Sequence, residues 1–246
     1  MNNEENVLIR SEEPVATPAR AAYPLDWETT EVRLGKGRFR HVLRRPTAEQ
    51  ILKRDADLQQ EIPIGQDGSY SLPDPTASDT VDAALYDEIV AENSGFETVE
   101  LSPFHKSAAV QALWNREIYI DDDADPFAEE ILVVDEVGGS DLPDFTVHHV
   151  MRQPKVSELD SYRRKAAANS QVKPGKRGRQ ILVTRSNLRS LIAFYDLWLV
   201  RIERATVDGR EWSEDQRTAF LAAVDPLVKR KVVAALTDEI GAAVRD

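Results

Sequence analysis

Polar and apolar positions alternate with period two in the stretch 38–45. Phe39, His41 and Leu43 share one face, and Arg38, Arg40, Val42 and Arg44 share the other, which is the spacing of a β-strand. With Glu31 to Leu34 before it and Gly35-Lys36-Gly37 between, the pattern predicts a hairpin. Pro46 ends the second strand because it has no amide hydrogen for the ladder. Thr47 and Gln50 form a T-x-x-Q capping box. The helix they open would bury Ile51, Leu52 and Leu58.

The same series recurs. His41-Val42-Leu43-Arg44-Arg45-Pro46 returns as His149-Val150-Met151-Arg152-Gln153-Pro154, and Ala84-Leu85-Tyr86-Asp87 returns as Ala193-Phe194-Tyr195-Asp196. A weaker third match aligns Ser102 to Ala112 with Ser213 to Ala223. In the second copy, Ile131 to Val137 and Phe145 to Arg152 are the predicted strands around a turn at Gly138 to Asp144. A helix is expected from Val156 to Asn169. Lys155 replaces the capping Thr47, so Ser157 is expected to cap one turn later. Loops at Ile62 to Asp79 and Val172 to Gln180 follow. Helices are then predicted over Thr80–Glu92 and Ser186–Ala205, the latter from the helical spacing of Leu188, Leu191, Ile192, Tyr195, Leu199 and Ile202. Ser102-Pro103 opens a helix to about Tyr119, with proline at its favoured first position. Ser213 with Gln216 opens another to Val224, and a last helix runs from Leu227 to about Val244.

The expected fold is therefore α+β and mostly helical: two tandem, diverged repeats, each a β-hairpin followed by a small helical bundle. Residues 1–29 carry Pro14, Pro18 and Pro24 and little periodicity, and read as a flexible N-terminal arm. Repeat 1 is residues 30–120, an acidic linker is 121–129, and repeat 2 is 130–246.

The chain has 246 residues and no cysteine, which excludes disulfides, thiolate metal sites and a cysteine nucleophile. No apolar run is long enough to span a membrane, and MNNEENVLIR has no apolar core of a signal peptide. The net charge is −12, yet it is unevenly spread. Met151 to Ala205 holds thirteen Lys plus Arg against four Asp plus Glu, a local +9 that leaves −21 on the remainder. Such a stripe could bind nucleic acid, but no aromatics interleave with the cations of 163–179 to stack bases. An acidic surface, on another subunit or on the chain's own N-terminal half, is the alternative.

No motif supplies catalytic chemistry. Asp121, Asp123 and Asp125 start like a calcium loop, but Pro126 stands where Gly is needed and Leu132 where the bidentate Glu belongs. His148 and His149 point to opposite strand faces and cannot share a metal. Pro174 to Gly178 lacks phosphate-loop spacing, and no serine sits in a nucleophile elbow. The reading is a non-enzyme with no cofactor and no metal.

Phe39 to Gln50, F-R-H-V-L-R-R-P-T-A-E-Q, resembles the opening of phage tail assembly chaperones, in which a short hairpin ends in R-R-P-T ahead of a helical bundle. The match is strong over about a dozen residues. The resemblance implies a factor that binds tape-measure or tail-tube subunits in the cytoplasm of the producing cell. Phage structural or tail proteins would be its partners, and self-association is allowed. The alternatives are a structural virion component (capsid, neck or tail) or a nucleic-acid-binding regulator using the basic segment 151–205. Candidate partner-binding residues are Arg44, Arg45 and Arg152 at the repeated junctions, and Arg163, Arg164, Lys176 and Arg177 in the basic stripe.

Overall fold

The computed structural model describes residues 22–65, 69, 76–97, 99–121, 124–125, 127–139, 142–168, 170–174, 180–184 and 186–243. The first described strand, β1 (Tyr23–Pro24), lies in the segment expected to be an arm. Tyr23 and Leu25 are instead buried core residues, so residues 22–29 belong to the folded body. The hairpin forms as the alternation predicts: β2 (Thr29–Leu34) pairs antiparallel with β3 (Phe39–Arg44), His41 opposite Val32 and Leu43 opposite Thr30. Gly35, Lys36 and Gly37 all take positive φ in the turn. α1 (Ala48–Asp57) follows, and its capping box is complete: the Gln50 amide donates to Thr47 Oγ1 at 3.2 Å and the Thr47 amide to Gln50 Oε1 at 2.9 Å.

The chain continues through β4 (Glu61–Ile64), α2 (Ala77–Ile89), β5 (Val90–Ser94), α3 (Pro103–Ala112) and β6 (Arg116–Ile120). A second hairpin, β7 (Glu130–Gly139) and β8 (Leu142–Arg152), leads to α4 (Val156–Ala167), β9 (Ser170–Pro174), β10 (Gln180–Thr184), α5 (Leu188–Trp198) and β11 (Leu199–Glu203). Two short strands, β12 (Ala205–Val207) and β13 (Arg210–Glu211), precede a 3-10 turn at Glu214–Gln216, α6 (Arg217–Ala223) and α7 (Pro226–Ala243).

This corrects the expectation of a mostly helical protein built from helical bundles. Among the described residues there are thirteen strands in four small sheets beside seven helices. The error has one repeated cause. Apolar residues read as the last turns of helices belong to strands that turn back onto the hairpins. α2 ends at Ile89 and Val90 is extended, so β5 pairs with β3. α5 ends at Trp198 and Leu199 is extended, so β11 pairs with β8. Leu199 and Ile202 are buried, as their spacing suggested, but as strand residues. The helix predicted from Ser102 to Tyr119 likewise stops at Ala112, and 116–120 is the edge strand β6. Both predicted loops contain strands, because β4, β10 and β9 form one sheet. Ser157 does not cap α4. Lys155 is its N-cap, and its amide donates to Glu158 Oε2 at 2.9 Å.

Pairing crosses the boundary drawn between the two segments. β4 pairs with β10, β6 with β7, and β1 with β12. The four-stranded sheet runs β11-β8-β7-β6. Two apolar clusters result. The larger centres on Val133, Val147, Met151, Tyr195, Trp198, Phe220 and Leu236. The smaller holds Leu43, Ile51, Tyr86 and Val110, with Leu188 and Leu227 arriving from the C-terminal half.

Candidate functional site

The repeated residues meet in space. In the first hairpin, His41 Nδ1 lies 2.9 Å from the Tyr86 hydroxyl, and in the second, His149 Nδ1 lies 2.7 Å from the Tyr195 hydroxyl. Both histidines are fully buried. The aspartate after each tyrosine takes a lysine whose ammonium also covers the tyrosine ring. Lys106 bonds Asp87 at 2.6 Å and stands 5.9 Å from the Tyr86 ring centre. Lys229 bonds Asp196 at 2.6 Å and stands 5.4 Å from the Tyr195 ring centre.

The second pair is built into a buried charge network. Arg116 Nη1 donates to Asp135 Oδ2 at 2.7 Å, and Nη2 donates to the Tyr23 hydroxyl at 3.2 Å. Asp135 Oδ2 lies 3.6 Å from His149 Nε2. A carboxylate at that distance favours the tautomer with hydrogen on Nε2, so Nδ1 accepts from Tyr195. Burial pushes the Asp135 carboxyl up, but His149 and Arg116 more than offset it and hold the carboxyl below its ordinary value. Burial raises the hydroxyls of Tyr23 and Tyr195. Arg, Asp, His and Tyr in contact are the parts of a proton relay. Here they lie in the core, with Asp135 and His149 at 0% exposure. The adjoining cavity, lined by Tyr23, Arg45, Trp114, Arg116 and Asp225 among others, is about 20 Å³, which is room for one water and no substrate. The network is read as structural. His41 has no carboxylate beneath it among the described residues, and its Nε2, like that of His149, has no hydrogen-bond partner. Burial, then the nearby His105, bring its pKa down to about 4.

Two of the junction arginines are internal braces. Arg45 crosses from the end of β3 to the carbonyl of Ala223 at the end of α6, and burial lowers its pKa. Arg152 grips Glu158 through two bonds of 2.8 and 3.0 Å. That grip, against a smaller burial effect, brings the Glu158 carboxyl down to about 2. Both side chains therefore have bonding partners within the fold. Arg44 is exposed on the hairpin, and Arg163 and Arg164 are exposed on α4. Lys176 and Arg177 lie outside the described residues. The structure does not bring Arg44 and the α4 arginines to one place through any shared strand or bond.

An aromatic cluster was missed by sequence reasoning. Phe39 stacks on Phe96 with ring centres 4.7 Å apart, and His105 packs on both at 5.1 and 5.8 Å. Phe104 touches His105 at 6.2 Å and is 67% exposed. Ser102 caps α3 and its hydroxyl also lies 2.9 Å from His105 Nδ1, fixing that ring. Gly95 has φ +93°, and a β-carbon there would stand 2.2 Å from the Arg38 carbonyl, so only glycine lets the β5 end close on the hairpin. The one sequence signal was a Phe in the first turn of α3. At the positions aligned with Phe104 and His105, the second segment carries Asp215 and Gln216.

Among the described residues no group of three or more His, Asp or Glu could hold a metal ion, and no helix is long and apolar enough to cross a membrane. No family model, no curated protein and no solved structure matches the chain.

Proposed function

We propose that the protein is a non-enzymatic protein-binding factor of phage tail assembly, which holds an apolar segment of a tape-measure or tail-tube subunit in the producing cell. The reading starts from the R-R-P-T junction at Arg44 to Thr47 and rests on the aromatic cluster at the tip of that same hairpin. An exposed Phe held by a capped helix and a glycine-closed strand is a rigid apolar contact, the kind that anchors protein partners. The sealed charge network and its one-water cavity argue against catalysis there. The test is affinity capture from producing cells by wild type and Phe104→Ser, with tail proteins quantified in the lysate and in purified particles. Capture of tail subunits that falls at least about tenfold in the variant, with the protein missing from particles, supports the reading. Fixed stoichiometry in particles makes it a structural virion component instead, and undiminished capture by the variant removes the aromatic cluster from the contact.

A further inference from the structure

Two stretches of equal length carry opposite charge. Residues 117–151 contain eleven Asp or Glu and no Lys or Arg, and residues 161–195 contain nine Lys or Arg and no Asp or Glu. The fold places them on different sheets. The acidic stretch forms β6, β7 and most of β8, and the basic stretch forms the end of α4, β9, β10 and most of α5.

The basic face is gathered at one end of α4. Arg163, Arg164 and Lys165 are exposed there, Lys173 follows on β9, and Asn187 bonds the Lys165 and Ala166 carbonyls, which brings exposed Arg189 alongside. Among the described residues none of these five cations forms an ion pair. Elsewhere on the chain Arg33, Arg40, Arg54, Arg116, Arg152, Arg201 and Arg230 do, and the exposed arginines that do not, Arg44, Arg204 and Arg210, lie outside this stretch. On a chain of charge −12, five cations without a carboxylate mark a surface that the monomer leaves unbalanced.

The acidic face has the complementary imbalance. Glu117 and Glu136 stand directly opposite each other across β6 and β7, a like-charge pair that disfavours the ladder. Both are exposed, as is Glu129. Each face also holds a sheet-edge strand with an exposed apolar side chain: Tyr119 on β6 and Val172 on β9.

We infer that the protein self-associates head to tail, the basic α4–β9 face of one copy seated on the acidic β6–β7 face of the next. The occupant is a second copy because the complementary charge is on this chain and, among the described residues, Glu117, Glu129 and Glu136 form no ion pair, whereas Glu130 and Asp135 of the same stretch take Arg201 and Arg116. Two different surfaces in contact make a heterologous interface, which closes into a ring or extends as a filament. The overall negative charge opposes contact everywhere except between these faces, so association depends on alignment and weakens as salt screens it.

The experiment is sedimentation of the full chain at about 0.05 M and about 0.5 M salt, across which screening of exposed charge rises severalfold. Species larger than the 27.6 kDa chain are expected at low salt, with an apparent dissociation constant at least about tenfold weaker at high salt. Arg163→Glu with Arg164→Glu removes the basic face, and Glu117→Lys with Glu136→Lys removes the acidic one. Each double variant alone is expected to sediment as a monomer. Their equimolar mixture is expected to associate, because the intact basic face of one variant meets the intact acidic face of the other and the two reversed faces are complementary as well; a misfolded variant could not do this. Arg189→Glu and Glu129→Lys give a second pair at exposed positions. A wild type that stays monomeric at low salt, or a mixture that stays monomeric, overturns the inference. So does a monomeric wild type whose basic face retains labelled duplex DNA or RNA, which would assign that face to nucleic acid.

Discussion

Asp135→Asn isolates the charge of the buried network at nearly constant shape. Asp135 is fully buried and its partner guanidinium, on Arg116, has a side chain only 9% exposed. The amide can still accept one bond from Arg116, but the cation loses its counter-charge where water does not reach. Breaking a buried pair by removing one partner costs about 3–5 kcal/mol, against a total stability on the order of 5–15 kcal/mol. With a urea slope of roughly 3 kcal/mol/M the midpoint should fall by about 1–1.7 M. Arg116→Met combined with Asp135→Leu removes both charges and should recover most of the loss, to within about 1 kcal/mol of wild type. Equilibrium urea unfolding of Asp135→Asn and of the double variant checks both expectations. A loss below about 1 kcal/mol in Asp135→Asn, or a double variant less stable than the single, would refute the idea that compensation of a buried charge, rather than packing, is what Asp135 contributes.

Arg45→Ala and Arg152→Ala should each lower stability, by about 1–3 kcal/mol for the half-buried Arg45 brace and about 1 kcal/mol for the more exposed Arg152 pair, while leaving partner capture unchanged; unfolding midpoints alongside the affinity assay check both parts. His41 has a folded pKa of about 4, below its unfolded value, so the unfolded chain binds the extra proton and stability should fall as pH drops from about 6.5 towards 4, by up to about 3 kcal/mol. His41→Phe should flatten that stretch of the urea midpoint against pH. The Glu158 loss comes at lower pH, from about 4.5 towards its folded value of about 2. Gly95→Ala, with its new β-carbon against the Arg38 carbonyl, should cost more than about 2 kcal/mol, whereas Gly37→Ala, with φ +84° and open space around it, should cost about 1 kcal/mol; thermal unfolding of the two variants separates clash from backbone strain.

Period-two alternation and the capping box made the first hairpin and α1 legible, since both signals are local. The repeated H-V and Y-D pairs were legible as sequence, but their meaning was not: that His41 meets Tyr86 across forty-five residues is a tertiary fact. The return strands carry a helical spacing because a run such as Leu188 to Ile202 buries the same residues in either conformation. What ends α5 lies elsewhere. Arg217, from α6, takes the carbonyls of Asp196, Leu199 and Val200, and β8 offers an edge to pair with. Arg45 and Arg152 looked like surface charges because their partners, the Ala223 carbonyl and Glu158, could not be read from alternation. The aromatic cluster was hidden for a similar reason. Its members come from β3, the end of β5 and the start of α3, and only the closure at Gly95 brings them together.

The strand pairings give the duplicated pattern a mechanical consequence. β4 joins the sheet of β9 and β10, and β6 extends the sheet of β7 and β8, so the first segment supplies an edge strand to two sheets of the second. Leu188 and Leu227 enter the smaller core from the C-terminal half, and Arg45 ties the first hairpin to the end of α6. The two segments are thus one cooperative body rather than beads on a linker. Their outer surfaces are then held in a fixed relation, with the aromatic tip, the acidic β6–β7 face and the basic α4–β9 face displayed by a single rigid scaffold. A head-to-tail assembly needs that rigidity, because an interface between two different faces propagates only if the angle between them is constant. The same rigidity leaves the aromatic tip at a repeated spacing along any such assembly, so that one apolar partner segment after another would be presented in register.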